Sequence, residues 1–208
     1  MSIATEIARH LLQIKAIQLS PNAPFTWASG IQSPIYCDNR IVLSYPEVRD
    51  VVRDRLVATA DQFDGFDTVA GVATAGISHG ALLADRLHLP FAYVRSKAKG
   101  HGRQNLIEGR IAEGARILVV EDLISTGGSC LQAVEALRAE GHTVVGVLAI
   151  FTYQFERAER AFAAAEVPFR TLSDYTHLLE EAVRTDYVSA DDLQALRRWR
   201  ERTGAVPG

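Results

Sequence analysis

The chain has 208 residues, 48% of them hydrophobic and 23% charged, with a net charge of −3. That is the composition of an ordinary soluble globular protein with a sizeable core, and the negative balance argues against non-specific nucleic-acid binding by the whole chain. Its two cysteines, Cys37 and Cys130, lie far apart without CxxC or Cys/His spacing, which disfavours a disulfide framework or a structural zinc site and fits a reducing compartment. No apolar run approaches the roughly 20 residues that span a bilayer. The first ten residues carry Glu6 and are amphipathic rather than an apolar signal core. These features predict a cytoplasmic protein with no membrane partner.

Ile3, Ile7, Leu11 and Ile14 recur at helical spacing, predicting a first helix over about residues 2–16. Residues 19–34 are irregular, punctuated by Pro21, Pro24, Gly30 and Pro34, and Ile35–Asp38 reads as a short strand. Ser44-Tyr45-Pro46-Glu47 has the form of a capping box with Pro in the first turn, so a helix should run to about residue 62. The pattern then alternates: strand Thr68–Val72, helix Ile77–Leu87, strand Phe91–Val94, strand Arg116–Glu121, helix Ser129–Glu140 closed by Gly141, strand Val144–Phe151. The remaining tail reads as mostly helical, with residues 154–165 rich in Ala and charge. A weak capping box, Ser189 with Asp192, precedes a last helix carrying Leu193, Leu196 and Trp199. Core packing is the role expected of this tail.

Continuous apolar strands alternating with helices predict an α/β fold, a mainly parallel open sheet flanked by helices. Such sheets bind ligands at the carboxyl ends of their strands. Three loops start there. The first, Ala73-Thr74-Ala75-Gly76-Ile77-Ser78, is small enough for close backbone approach, and the following helix would point its N–H groups at an anion; a plain tight turn explains it equally well. The second, residues 95–110, has no apolar periodicity. It carries Arg95, Lys97, Lys99, Arg103 and Arg110 against one acid, Glu108, and includes His101. A long cationic loop suits a lid over phosphates; a nucleic-acid patch would call for aromatic stacking partners that this loop lacks.

The third loop follows the most informative stretch, Ile117-Leu118-Val119-Val120-Glu121-Asp122-Leu123-Ile124-Ser125-Thr126-Gly127-Gly128-Ser129. A glycine-rich turn feeding a helix N-terminus can take a phosphate, and the two acids can accept hydrogen bonds from sugar hydroxyls. Metal-binding acids of an NTPase would need a G-x-x-x-x-G-K-[ST] loop, which the chain lacks. A ribose 5′-phosphate fits better. No H-E-x-x-H is present. His10, His79, His88, His142 and His177 are scattered and read as structural or exposed.

The stretch Val119–Ser129 resembles the phosphoribosyl-diphosphate motif of type I phosphoribosyltransferases. Phe25-Thr26-Trp27-Ala28-Ser29-Gly30, leading to Ser33-Pro34-Ile35-Tyr36, resembles the N-terminal signature of the orotate phosphoribosyltransferases, and Arg95 through Gly102 resembles their catalytic loop. The resemblance covers about residues 3–190. It implies one phosphoribosyltransferase domain over 1–208, with a small hood drawn largely from residues 1–45 plus part of the C-terminal region. It implies transfer of phosphoribosyl from 5-phosphoribosyl 1-diphosphate to orotate in pyrimidine (UMP) biosynthesis. It also implies Mg²⁺, with no protein ligand assigned to it, and a homodimer sharing loop 95–110 across its interface. Lys99, His101 and Asp122 would be catalytic. Arg95, Lys99 and His101 would contact the diphosphate, while Glu121, Asp122, Leu123, Ile124, Ser125, Thr126, Gly127, Gly128 and Ser129 would hold the ribose phosphate. Ser125 would stand near orotate. Ala28, Gln32 and Thr74-Ala75 replace basic or Tyr-Lys residues of some members, so no side chain is assigned to the orotate carboxylate; backbone amides around residues 27–30 are the candidates. The alternatives are a purine phosphoribosyltransferase, disfavoured by residues 25–36, and a non-catalytic phosphoribosyl-diphosphate-binding regulator, disfavoured by Lys99 and His101 and by the lack of an appended module.

Overall fold

A computed structural model describes residues 1–26, 30, 32–96 and 106–205. Helix α1 (Ile3–Gln13) begins at Ser2, whose hydroxyl accepts from the Thr5 N–H at 3.2 Å. Four short strands follow: β1 (Ile17–Leu19), β2 (Phe25–Thr26), β3 (Gln32–Ser33) and β4 (Ile35–Cys37). β1 pairs antiparallel with β4, and β2 with β3. A 3₁₀ helix, Asn39–Ser44, leads into α2 (Pro46–Ala60). The capping box expected at Ser44 does not form. Ser44 ends the 3₁₀ turn and Tyr45 occupies the cap with no side-chain hydrogen bond, so only Pro46, whose missing N–H costs nothing in the first turn, marks the helix start.

The main sheet comes next: β5 (Thr68–Val72), α3 (Ala75–Leu87), β6 (Phe91–Val94), β7 (Ile107–Glu108), β8 (Arg116–Ile124), α4 (Gly128–Ala139), β9 (Thr143–Thr152), α5 (Glu156–Ala164) and β10 (Phe169–Asp174). Helices α6 (Tyr175–Arg184) and α7 (Ala190–Ala205) complete the chain. The six strands lie in the order β10-β9-β8-β5-β6-β7, parallel except for β7. Alternation along the central strands supplies two cores. Leu118, Val120, Leu148 and Ile150 face Ile7, Leu56 and Leu178, whereas Val119, Val147 and Ala149 face Val134, Leu137 and Phe162. Each large apolar side chain so buried contributes about 1.5–3 kcal/mol before entropy is counted.

The structure departs from the sequence reading elsewhere as well. The supposedly helical tail contains β10: Phe-Arg-Thr-Leu-Ser-Asp is an edge strand with only Leu172 and Ser173 buried, so it lacks the apolar run that betrays the central strands. The loop at 95–110 contains β7, two residues stitched antiparallel to Tyr93 and Val94. β8 does not stop at Glu121 but continues through Ile124, because Leu123 and Ile124 stay in register with Phe151 and Thr152. Helix α3 starts at Ala75, two residues earlier than the apolar pattern indicates. The last helix does start as expected, with reciprocal bonds of 3.2 Å between Ser189 and Asp192. Its Trp199 also reaches outside the core, donating from Nε1 to the Gln32 carbonyl at 3.3 Å.

Candidate active site

The carboxyl ends of β5, β6 and β8 meet on one edge of the sheet. Two glycines let the first loop lie against β8: a Cβ on Gly76 would sit 2.5 Å from the Val120 carbonyl oxygen, and one on Gly71 would sit 2.8 Å from the Gly76 carbonyl. The first turn of α3 thus opens directly beside Glu121, with N–H groups that have no intrahelical partner.

The third loop is shorter than the sequence suggests. With Leu123 and Ile124 in the strand, it comprises Ser125, Thr126 and Gly127 before α4 begins at Gly128. Ile124 is fully buried and its carbonyl accepts from the Tyr153 N–H at 3.2 Å. These two residues therefore anchor the loop. Gly127 has φ +82, and a Cβ there would lie 2.8 Å from the Phe162 ring, so the turn is pressed between a left-handed backbone and α5. The N-terminus of α4, twelve residues long, opens onto this turn, an arrangement that favours an anion.

The adjacent acids are not equivalent. Glu121 is only 5% exposed. One of its oxygens accepts from the Asp122 N–H at 2.9 Å; the other faces the Ser129 hydroxyl at 3.3 Å and the Cys130 thiol at 3.7 Å. Burial, reinforced by the neighbouring Asp122 charge and carboxyl, raises its pKa from 4.5 to about 8. The picture of two carboxylates equally free for hydroxyls is therefore too simple: Glu121 is a largely protonated strut beneath Ser129, and Asp122 is the half-buried one. The main-chain carbonyl of Asp122 accepts from Asn39 Nδ2 at 2.8 Å. His79, passed over in the sequence as one more scattered histidine, is 1% exposed within reach of Asp122 and the Asn39 main chain; burial lowers its pKa. Asn39 follows a strand too short to announce itself, and no sequence signal marks either residue.

Of the cationic loop, Arg95 stands at the end of β6, its N–H on the Leu106 carbonyl at 2.8 Å and its guanidinium 3.3 Å from Glu108. Lys97, Lys99, His101 and Arg103 lie outside the described residues. A hollow of about 520 Å³ opens between Val72, Ala73, Val94, Arg95, Ser129 and Gln132, within the size range of small-molecule sites. At β2 and β4 the Phe25 and Tyr36 rings lie 5.7 Å apart; Trp27, Ala28, Ser29 and Ile31 are outside the described residues. Among the described residues no group of three His, Cys, Asp or Glu side chains could cage a metal. No helix among them is long and apolar enough to cross a membrane.

A phosphoribosyl transferase domain model matches residues 42–175. The orotate phosphoribosyltransferase of Streptococcus thermophilus is 54% identical over 202 residues, 97% of each chain. The chain belongs to the orotate phosphoribosyltransferase family. Among solved structures, the family's member from Aeropyrum pernix superposes with a TM-score of 0.77 at 31% identity, over 88% of this chain and 99% of that one. UMP synthase of Leishmania donovani superposes with a TM-score of 0.81 at 25% identity, over 96% of this chain and 42% of that longer one. The fold class expected from the alternating pattern is thus the fold of the family.

Proposed function

We propose that the protein transfers the 5-phosphoribosyl group from 5-phosphoribosyl 1-diphosphate to orotate, giving orotidine 5′-monophosphate and diphosphate, as a step of pyrimidine nucleotide synthesis. The observation that carries this reading is the convergence of a buttressed acid pair, a glycine turn at the N-terminus of α4 and the clamped 73–76 loop on one sheet edge. The kinship with orotate phosphoribosyltransferases over nearly the whole chain supports the choice of base.

The chemistry divides among the loops. Amides of Ser125–Ser129 and the α4 N-terminus hold the 5-phosphate, with Leu123 and Ile124 setting the position of that turn from within the strand. Asp122 lies under the ribose, where its charge favours the oxocarbenium character that develops as the anomeric C–O bond breaks. Glu121, held mostly protonated by burial, supports Ser129. Ser125 lies near orotate. Arg95, Lys99 and His101 take up the charge of the departing diphosphate, with Lys99 and His101 reaching across a homodimer whose partners share loop 95–110. Exclusion of water by that loop strengthens each of these contacts. Orotate is already an anion at neutral pH, so its nitrogen attacks without a dedicated base, and no covalent nucleophile on the protein is required.

The donor set suits a Mg²⁺ that arrives with the substrate. The described residues offer no three-ligand cage, and Mg²⁺ commonly keeps its waters and binds substrate phosphates. Bound there, it would offset negative charge on the diphosphate. The two small sheets, β1-β4 and β2-β3, together with Trp199 of α7, form the hood of a single domain, and the base is chosen beneath it. An assay of orotate against hypoxanthine and adenine, with Mg²⁺ present and absent, tests this reading. Orotate consumption that requires Mg²⁺ is expected. Turnover of a purine base without turnover of orotate would assign the protein a different substrate.

A further inference from the structure

Asn39 sits where the hood strands hand over to the core. It follows β4, opens the 3₁₀ helix and is fully buried. Its side-chain amide, beside the Cys37 thiol, donates across 83 positions of sequence to the main-chain carbonyl of Asp122. The setting of that carbonyl explains why a side chain is used. The pairing of β5 with β8 ends at Gly71 and Val120, so beyond that point β8 has β9 as its only paired strand among the described residues. The Asn39 amide continues the hydrogen bonding past the end of β5, at the residue whose carboxylate lies under the ribose.

The surroundings argue that this bond is the reason for an asparagine here. Asn39 Oδ1 and His79 Nε2 are both buried and have no hydrogen-bond partner among the described residues. Burying unpaired polar atoms is unfavourable, and an apolar side chain of the same shape would remove the unpaired Oδ1. The polar side chain therefore has to be explained by the bond it does make. His79 closes the arrangement from α3, its ring within hydrogen-bonding reach of the Asn39 main chain.

We propose that Asn39, backed by His79, is a positioning residue: it acts through Asp122, fixing that residue's main chain and hence the placement of its carboxylate beneath the sugar. The proposal rests on the transferase reading above. Misplacement of a reacting group by about 1 Å can cost about 10²-fold in rate, which sets the scale of the expected effect.

Asn39→Leu keeps the branched shape, removes the donor and removes the unpaired oxygen; Asn39→Ala removes all three. Steady-state kinetics with each substrate varied, together with thermal unfolding, separates the outcomes. Asn39→Leu is expected to melt at or above the wild-type temperature while its kcat falls about 10- to 10²-fold, with KM for orotate within about twofold of wild type. A residue that merely packs would not lose turnover while keeping or gaining stability. A wild-type kcat in Asn39→Leu, a loss confined to KM for orotate, or failure of both variants to fold would overturn the proposal. If Asn39→Ala alone fails to fold, Asn39→Leu decides. Wild-type protein that does not turn over orotate would remove the transferase reading and this proposal together, whereas active wild type with an unaffected Asn39→Leu removes this proposal alone.

Discussion

The turn at 125–127 and the loop leaving Arg95 rise from the same sheet edge but are held in different ways. The turn is fixed from every side: Ile124 to Tyr153 by a main-chain bond, Gly127 against Phe162, Ser129 over the buried Glu121. The described ends of the cationic loop are joined to the sheet by two residues of β7 and by the part-exposed Arg95–Glu108 pair. The proposed function gives the two regions different tasks. A sugar phosphate that must be held still needs donors aligned before it arrives, and the core supplies that alignment. A leaving diphosphate needs charge brought to it and then withdrawn, which suits a long cationic segment rather than a turn set into the core.

This contrast can be broken or sharpened by substitution. The largest effect is expected at Lys99, where Lys99→Ala should lower kcat by about 10²–10³-fold with little change in sugar-phosphate affinity; an unchanged kcat in single-turnover measurements would end its role as a transition-state contact. Next comes the clamp on the rigid side. Gly76→Ala forces a Cβ to within 2.5 Å of the Val120 carbonyl and should destabilise the protein by about 3 kcal/mol, read by denaturant unfolding. A loss below about 0.5 kcal/mol would mean that the loop is not pressed against β8.

Glu121 gives a smaller, pH-dependent effect. Below its ordinary pKa of 4.5 both folded and unfolded chains carry the proton, and its burial is not penalised. Between 4.5 and about 8 the unfolded chain ionises while the folded one does not, so this group lowers stability as pH rises, and the penalty levels off above that window. Glu121→Gln cannot ionise. Its melting temperature relative to wild type should climb across that pH range, and a constant difference from pH 5 to 8 would contradict the raised pKa. The smallest effect belongs to the part-exposed Arg95–Glu108 pair: Glu108→Gln should cost no more than about 1 kcal/mol in thermal unfolding.

The sequence discloses the rigid half better than the rest because burial on both faces leaves a dense apolar record. Thr68–Val72 is buried at all five positions and is read to the residue. β10 escapes notice because an edge strand needs apolar residues on one side only, and β7 because two residues form no pattern. The acid pair is legible as chemistry, but its inequality is not. That Glu121 is a buried strut depends on Ser129 and Cys130 of α4 closing over it. Asn39 and His79 are invisible for a related reason: their importance lies in one contact across 83 positions, between a short hood turn and a central strand.

The most direct test of the central claim is the rate of diphosphate release from 5-phosphoribosyl 1-diphosphate by purified protein, with orotate, hypoxanthine or adenine as acceptor and with Mg²⁺ supplied or chelated. The account predicts release with orotate and Mg²⁺ alone, matched one for one by orotidine 5′-monophosphate. Release driven by a purine base, or none with any acceptor, would contradict it.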